Sequence, residues 1–174
     1  YARQVEQHFH DGYDCLYGPA YKGIPLVVTT SAALSSLYQR ETPFFFNRKE
    51  VKDHGERGAL VGYHPHPGDR VLVLEDVITA GTSVRETMLL FQTLGGISIE
   101  GLIVSVDREE CGPDGGSALE ELSQETGVRI RPIVTLSEIC GFLHNRKIDG
   151  RVILNDQIMA RIDAYLEKYG CGRH

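Results

Sequence analysis

Residues Val71 to Glu86 read VLVLEDVITAGTSVRE, and this stretch decides the fold. Val71–Leu74 is a short apolar run with β-branched residues, the length of one buried strand. Two adjacent carboxylates, Glu75 and Asp76, follow it. Thr79-Ala80-Gly81-Thr82-Ser83 is a run of small or hydroxylated residues, and Val84 to Leu90 reads as a helix. A strand, a tight loop and a helix start together make an anion site. The free N–H groups of the loop and the positive end of the helix dipole meet at one place. Gly81 lets backbone approach a ligand closely. The hydroxyls of Thr79, Thr82 and Ser83 add donors.

The acidic pair needs a different partner, because carboxylates repel phosphate. They accept hydrogen bonds from vicinal hydroxyls or face a divalent metal. A monophosphate, a diol and a nearby metal together describe a ribose 5-phosphate. The stretch is not a P-loop, since G-x-x-x-x-G-K-[ST] is missing, and G-x-G-x-x-G is missing too. A plainer reading, a strand-to-helix crossover with Thr82 or Ser83 as N-cap, leaves the acidic pair without a role.

Outward from this centre, strand and helix patterns alternate. Upstream, Tyr1–Phe9 reads as the end of a helix, with His8 and His10 as solvated residues. Tyr13–Tyr17 is a short strand. Gly18 to Gly23 (GPAYKG) is a turn, and Ile24–Tyr38 is a helix with Pro25 in its first turn. Pro43–Asn47 is a buried aromatic strand. Arg48 to Gly62 (RKEVKDHGERGALVG) follows; four of residues 48–57 are Lys or Arg, and His54 adds a possible fifth cation. Gly55 and Gly58 make this run flexible and it has no apolar face, which suits a mobile cationic flap over a polyanion. Tyr63–Asp69 is a turn, with His64 and His66 at the surface.

Downstream, Gly95-Gly96 ends the central helix. Ile97–Val106 is a buried strand that runs into Asp107-Arg108-Glu109-Glu110. Cys111–Ser117 is a glycine-rich loop. Ala118–Thr126 is a helix, Val128–Val134 a strand, and Thr135–Leu143 a helix with Thr135 or Ser137 near its cap. Leu154–Tyr169 is a last amphipathic helix, with Ile158, Ile162, Tyr165, Leu166 and Tyr169 on one stripe. The expected fold class is α/β, a mostly parallel central sheet flanked by helices. The Tyr21-Lys22 turn, Arg48, the acidic-TAGTS loop and Arg108 all follow strands. They therefore gather at the carboxyl edge where such sheets bind ligands.

Size and composition bound the answer. The 174 residues suit one domain, residues 1–174, with enough chain for a core. A formal net charge of −6 argues against a broad nucleic-acid surface. No run reaches the roughly 18 apolar residues of a membrane span. Cys15, Cys111, Cys140 and Cys171 are scattered, which suits a reducing cytoplasm better than a disulfide scaffold or zinc site.

The central stretch closely resembles the 5-phosphoribosyl-1-diphosphate (PRPP) motif of type I phosphoribosyltransferases. At FNRKEVKDHGERGALVG the resemblance narrows to orotate phosphoribosyltransferases, whose flexible loop carries a similar RKE-x-KDHGE pattern. GPAYKGIPL resembles that family's pyrophosphate loop. With SVDREE, the likeness covers most of Cys15 to Glu110. It implies transfer of the phosphoribosyl group of PRPP to N1 of orotate, giving orotidine 5′-monophosphate (OMP) and pyrophosphate in pyrimidine nucleotide synthesis. It also implies a magnesium requirement and a homodimer with shared loop residues.

Carried over, the resemblance gives Tyr21 and Lys22 the pyrophosphate. Arg48, Lys49, Lys52 and His54 bind PRPP, with Arg48, Lys52 and His54 crossing to the partner subunit. Glu75 and Asp76 hold the ribose hydroxyls, and Val77, Ile78, Thr79, Ala80, Gly81, Thr82 and Ser83 form the phosphate loop. Thr79 and Arg108 contact orotate, Arg108 facing its carboxylate. Lys52, His54 and Asp76 are the expected catalytic residues. Magnesium is expected mainly on PRPP itself, with no dedicated protein metal site.

The departure is at the front. The family has a segment before the first core strand that supplies a lysine, an FFN-like stretch and part of a hood over the base. Nothing ahead of Tyr13 matches it, and Phe44-Phe45-Phe46-Asn47 is the core strand instead. The chain starts at Tyr1 rather than at a Met, so it reads as a fragment, a processed product or a chain lacking its true start; either it is truncated or its base site and hood are incomplete. The alternatives are a purine or uracil phosphoribosyltransferase, a PRPP-sensing regulator, and a remnant that binds nothing.

Overall fold

The computed structural model describes residues 1–48, 60–78 and 81–171. Six strands form one sheet: β1 (Cys15–Tyr17), β2 (Phe44–Asn47), β3 (Leu60–Gly62), β4 (Arg70–Val77), β5 (Ser98–Asp107) and β6 (Ile130–Thr135). Their spatial order is β3-β2-β1-β4-β5-β6. All neighbours pair parallel except β2 and β3, which are antiparallel. The helices are α1 (Ala2–Phe9), α2 (Gly23–Tyr38), α3 (Thr82–Leu94), α4 (Ala118–Thr126), α5 (Leu136–Leu143) and α6 (Asp156–Tyr169). A small hairpin, β7 (Lys147–Ile148) with β8 (Arg151–Val152), precedes α6.

The alternation of β4 sorts the core into two layers. Leu72 and Leu74 face α1 and α2, packing with Val5, Phe9, Val27, Leu34 and Ile103. Val71 and Val73 face α3 and α4, packing with Val84, Phe91, Leu119 and Leu122. Sheets buried on both faces need such continuous apolar runs. Tyr17, Phe45 and Phe91 form a ring cluster in the second layer, with centroids 4.9, 5.1 and 5.9 Å apart. Each such pair adds about 0.5–1.5 kcal/mol beyond its buried area.

Two connections explain where a ligand belongs. The chain leaves β1 through α2 and reaches β2 on one side. It leaves β4 through α3 and reaches β5 on the other side. The crevice between β1 and β4 is thus the point where the winding direction reverses, and α/β sheets bind ligands there. The pairing of β4 with β5 also slips by one residue: Val71 faces Ile99 but Leu72 faces Gly101. Glu100 is the surplus residue of this bulge.

Four sequence expectations need correcting. The strand expected at Val71–Leu74 runs from Arg70 to Val77, so the acidic pair lies inside it. Hydrogen bonding to the longer β5 carries the pairing past the apolar run. The central helix starts at Thr82, and its N-cap is Gly81, not Thr82 or Ser83. The stretch taken wholly as flap ends in strand β3, whose Leu60 and Val61 pair with β2. The stripe on α6 is only half covered: Ile162, Tyr165 and Leu166 are half-buried, while Ile158 and Tyr169 are exposed.

Candidate active site

A cleft of about 910 Å³ opens at the β1–β4 crevice. Tyr21, Lys22, Arg48, Glu75, Asp76, Val77, Gly81, Thr82 and Ser83 all line it. Tyr17, Asn47, Glu86 and Thr87 line it too, and sequence reasoning gave them no part in the site. Only Asn47 carried a usable signal, as a polar residue ending an aromatic strand. Its Oδ1 accepts the Ala20 N–H at 2.8 Å, fixing the turn that carries Tyr21 and Lys22. That turn is tight: a Cβ on Gly18 would stand 2.2 Å from the Gly23 carbonyl oxygen. The Ala20–Tyr21 peptide is cis.

The two acids leave β4 on opposite faces, as strand alternation requires, but both line the cleft and their carboxylates meet there. Glu75 follows Val71 and Val73 toward α3; it is 6% exposed, and its carboxylate accepts from the Ser83 hydroxyl and from the Asp76 N–H. Asp76 follows Leu72 and Leu74 toward α2, where Lys22 donates to its Oδ2. Burial, with the adjoining Asp76 charge, pushes Glu75 above the usual carboxylate range. Burial also works against the charge of Asp76, but the Lys22 ammonium and the Val77 N–H outweigh it, so Asp76 ionises below the usual range. The same contact holds Lys22 above its ordinary value. The pair therefore divides into one reluctant and one ready carboxylate.

The start of α3 is built to receive an anion. Gly81 has φ 68°, in the left-handed region, and no side chain caps the helix. A Cβ at Gly81 would also stand 2.8 Å from Leu122. By contrast, α4, α5 and α6 are capped by the side chains of Ser117, Thr135 and Asn155. Among the described residues, no side chain caps the first N–H groups of α3, whose Gly81, Thr82 and Ser83 line the cleft. Thr82 is exposed and Ser83 half-buried beside them. Ile78, by contrast, turns its side chain into the core.

Lys49, Lys52, His54, Thr79 and Ala80 lie outside the described residues. Arg108 follows β5, two residues beyond Val106, which faces Val77. It does not line the cleft. Its Nη2 lies 2.6 Å from Glu110 Oε1. Among the described residues, no three His, Cys, Asp or Glu side chains group to hold a metal ion, and no helix is long and apolar enough to cross a membrane.

This geometry has close counterparts. The chain is 47% identical over 170 residues to the orotate phosphoribosyltransferase of Clostridium beijerinckii, covering 98% of this chain and 76% of that protein. A crystal structure of orotate phosphoribosyltransferase from Francisella tularensis superposes with TM-score 0.73 at 29% identity, over 98% of this chain and 73% of that one. The Mycobacterium tuberculosis orotate phosphoribosyltransferase in complex with PRPP gives TM-score 0.59 at 27% identity, over 79% of this chain and 72% of that one. No family model matches the chain.

Proposed function

The chain belongs to the orotate phosphoribosyltransferases, and from that premise we propose that it moves the 5-phosphoribosyl group of PRPP onto N1 of orotate. The products are OMP and pyrophosphate, a step of pyrimidine nucleotide (UMP) biosynthesis. One observation carries the reading: the uncapped start of α3 shares a cleft with the acidic pair and with Lys22. The helix start takes the 5′-phosphate. Asp76, already ionised, accepts from a ribose hydroxyl, and Glu75 backs it through the contact between the two carboxylates. Lys22 exchanges Asp76 for an oxygen of the diphosphate, with Tyr21 and Arg48 beside it.

The reaction breaks the bond from C1 of ribose to the diphosphate oxygen and forms one from C1 to N1 of the base, which gives up its proton. C1 becomes cationic on the way and the leaving group gathers negative charge. Positioning and charge stabilisation are the demands, and no covalent nucleophile is required. Lys52 and His54 of the 48–57 run supply cations to the departing diphosphate, and Lys49 adds to them. Thr79 and Arg108 read the base, Arg108 through its carboxylate.

Magnesium fits these residues as a substrate-borne ion. The ready carboxylate of Asp76 is an oxygen donor in the cleft, and magnesium favours few protein ligands with phosphate and water oxygens. When bound, it neutralises charge on the diphosphate. We read residues 1–174 as one catalytic domain that works as a homodimer, with Arg48, Lys52 and His54 reaching the partner's site. The four free thiols fit a cytoplasmic setting. The test is PRPP consumption that depends on both orotate and magnesium. Consumption with a purine or uracil in place of orotate, or none at all while PRPP binds, would sink this reading.

A further inference from the structure

We propose that Glu110 and Tyr165 are positioning residues that fix the Arg108 guanidinium, so that the last helix sets how well the site recognises a carboxylate on the base. The inference rests on the reading of Arg108 as the receptor for that carboxylate.

Arg108 is half-buried at the end of β5, and its Nε is buried with no hydrogen-bond partner among the described residues. A desolvated donor of this kind is unfavourable until an acceptor fills it. Its Nη2 is already held, 2.6 Å from Glu110 Oε1. That same oxygen accepts the hydroxyl of Tyr165, from α6. One carboxylate oxygen thus serves two donors and joins the guanidinium to a rigid helix.

The backbone around Glu110 is also tied down. Cys111 N–H donates to the Tyr169 carbonyl at 2.8 Å, and Cys171 N–H donates to the Glu109 carbonyl at 2.9 Å. Ala118 N–H at the start of α4 donates to the Glu110 carbonyl at 3.0 Å. The Glu109 carboxylate accepts the Ser137 N–H of α5 at 2.7 Å. Three helices therefore hold the segment that follows Arg108. A guanidinium locked before binding loses less rotamer freedom when its planar fork meets a planar carboxylate. Glu110 takes up Nη2 and leaves the outer edge of the guanidinium, on a side chain 39% exposed, to the ligand. This accounts for an acid placed beside a cation that must attract another acid.

The experiment compares calorimetric Kd values for OMP and for uridine 5′-monophosphate, which differ only in the base carboxylate. Glu110→Gln and Tyr165→Phe should each weaken OMP binding several-fold, up to about tenfold, with uridine 5′-monophosphate binding unchanged. In an Arg108→Ala background, Glu110→Gln should cost nothing further, which separates positioning from general damage to the fold. Unchanged or tighter OMP binding in both single variants overturns the proposal, provided that Arg108→Ala alone removes the preference for OMP. If Arg108→Ala leaves that preference intact, or the wild-type protein shows none, the reading of Arg108 fails first and the inference falls with it.

Discussion

Glu75 and Asp76 are neighbours in sequence with opposite electrostatic fates. Burial raises the pKa of Glu75, so its favourable share of stability is complete below its unfolded pKa, near pH 4. That share is lost as pH rises through the folded value. Toward higher pH, ionising this buried carboxyl works against the fold. Glu75→Gln should therefore raise Tm by a few degrees at pH 8 and change it little at pH 4, while PRPP binds more weakly. Melting curves at the two pH values check this, and a lower Tm at pH 8 would contradict it. Lys52 belongs to the proposed flap and makes a separate prediction. Lys52→Ala should lower turnover by about tenfold or more, with the melting temperature unchanged, if it neutralises the leaving group. Near-normal turnover would remove the flap from the chemistry.

Among the elements, the start of α3 decides most. Gly81→Ala puts a Cβ at a left-handed φ and within 2.8 Å of Leu122. PRPP affinity should fall by about tenfold or more, the scale of a lost hydrogen bond to a charged group. Titration with magnesium and PRPP measures it. At the other end of the chain, Thr135 and Glu138 form a reciprocal capping box on α5. Thr135→Ala should cost about 1 kcal/mol in denaturant unfolding, with the affinity for PRPP unchanged.

These elements also show what the sequence could reveal. Ala118–Thr126 was legible to the residue, because Ser117 before it is a strong start signal and Gly127 after it a strong stop signal. The ends of β4 and α3 were not legible. Whether a strand continues through two carboxylates is decided by the neighbouring strand, and whether a threonine caps or extends a helix is decided by the backbone of the glycine before it. Strand β3 was hidden because three residues carry no periodicity and only the edge of β2 recruits them. Nine of the proposed site residues were brought to one cleft as strand order implied. The Glu110 and Tyr165 contacts were not readable, since 55 residues separate them.

For the whole molecule, the winding reversal between β1 and β4 places the cleft before any side chain is considered. A ligand seated there touches loops from both halves of the sheet, so binding should stabilise the fold globally. At about 100 times its Kd, PRPP with magnesium should add about 2.7 kcal/mol to unfolding. A scan of Tm against PRPP concentration tests this, and a Tm that stays flat under saturation would place the ligand elsewhere. The core itself hinges on the ring cluster. Phe91 bridges α3 to Tyr17 and Phe45, and Phe91→Ala should cost about 3–5 kcal/mol.

The bulge at Glu100 has a consequence for chain length. It absorbs one spare residue at the entrance of β5, before the strand reaches the core, so Ile99 and Leu102 still face one layer while Gly101 and Ile103 face the other. Deleting Glu100 would straighten the ribbon without turning any later side chain over. The same deletion at Val104 would rotate everything after it by half a turn and present Glu109 where Arg108 now emerges. Tolerance to gain or loss of a residue in this strand is thus confined to its first few positions, and the cation at its far end is guarded by parity.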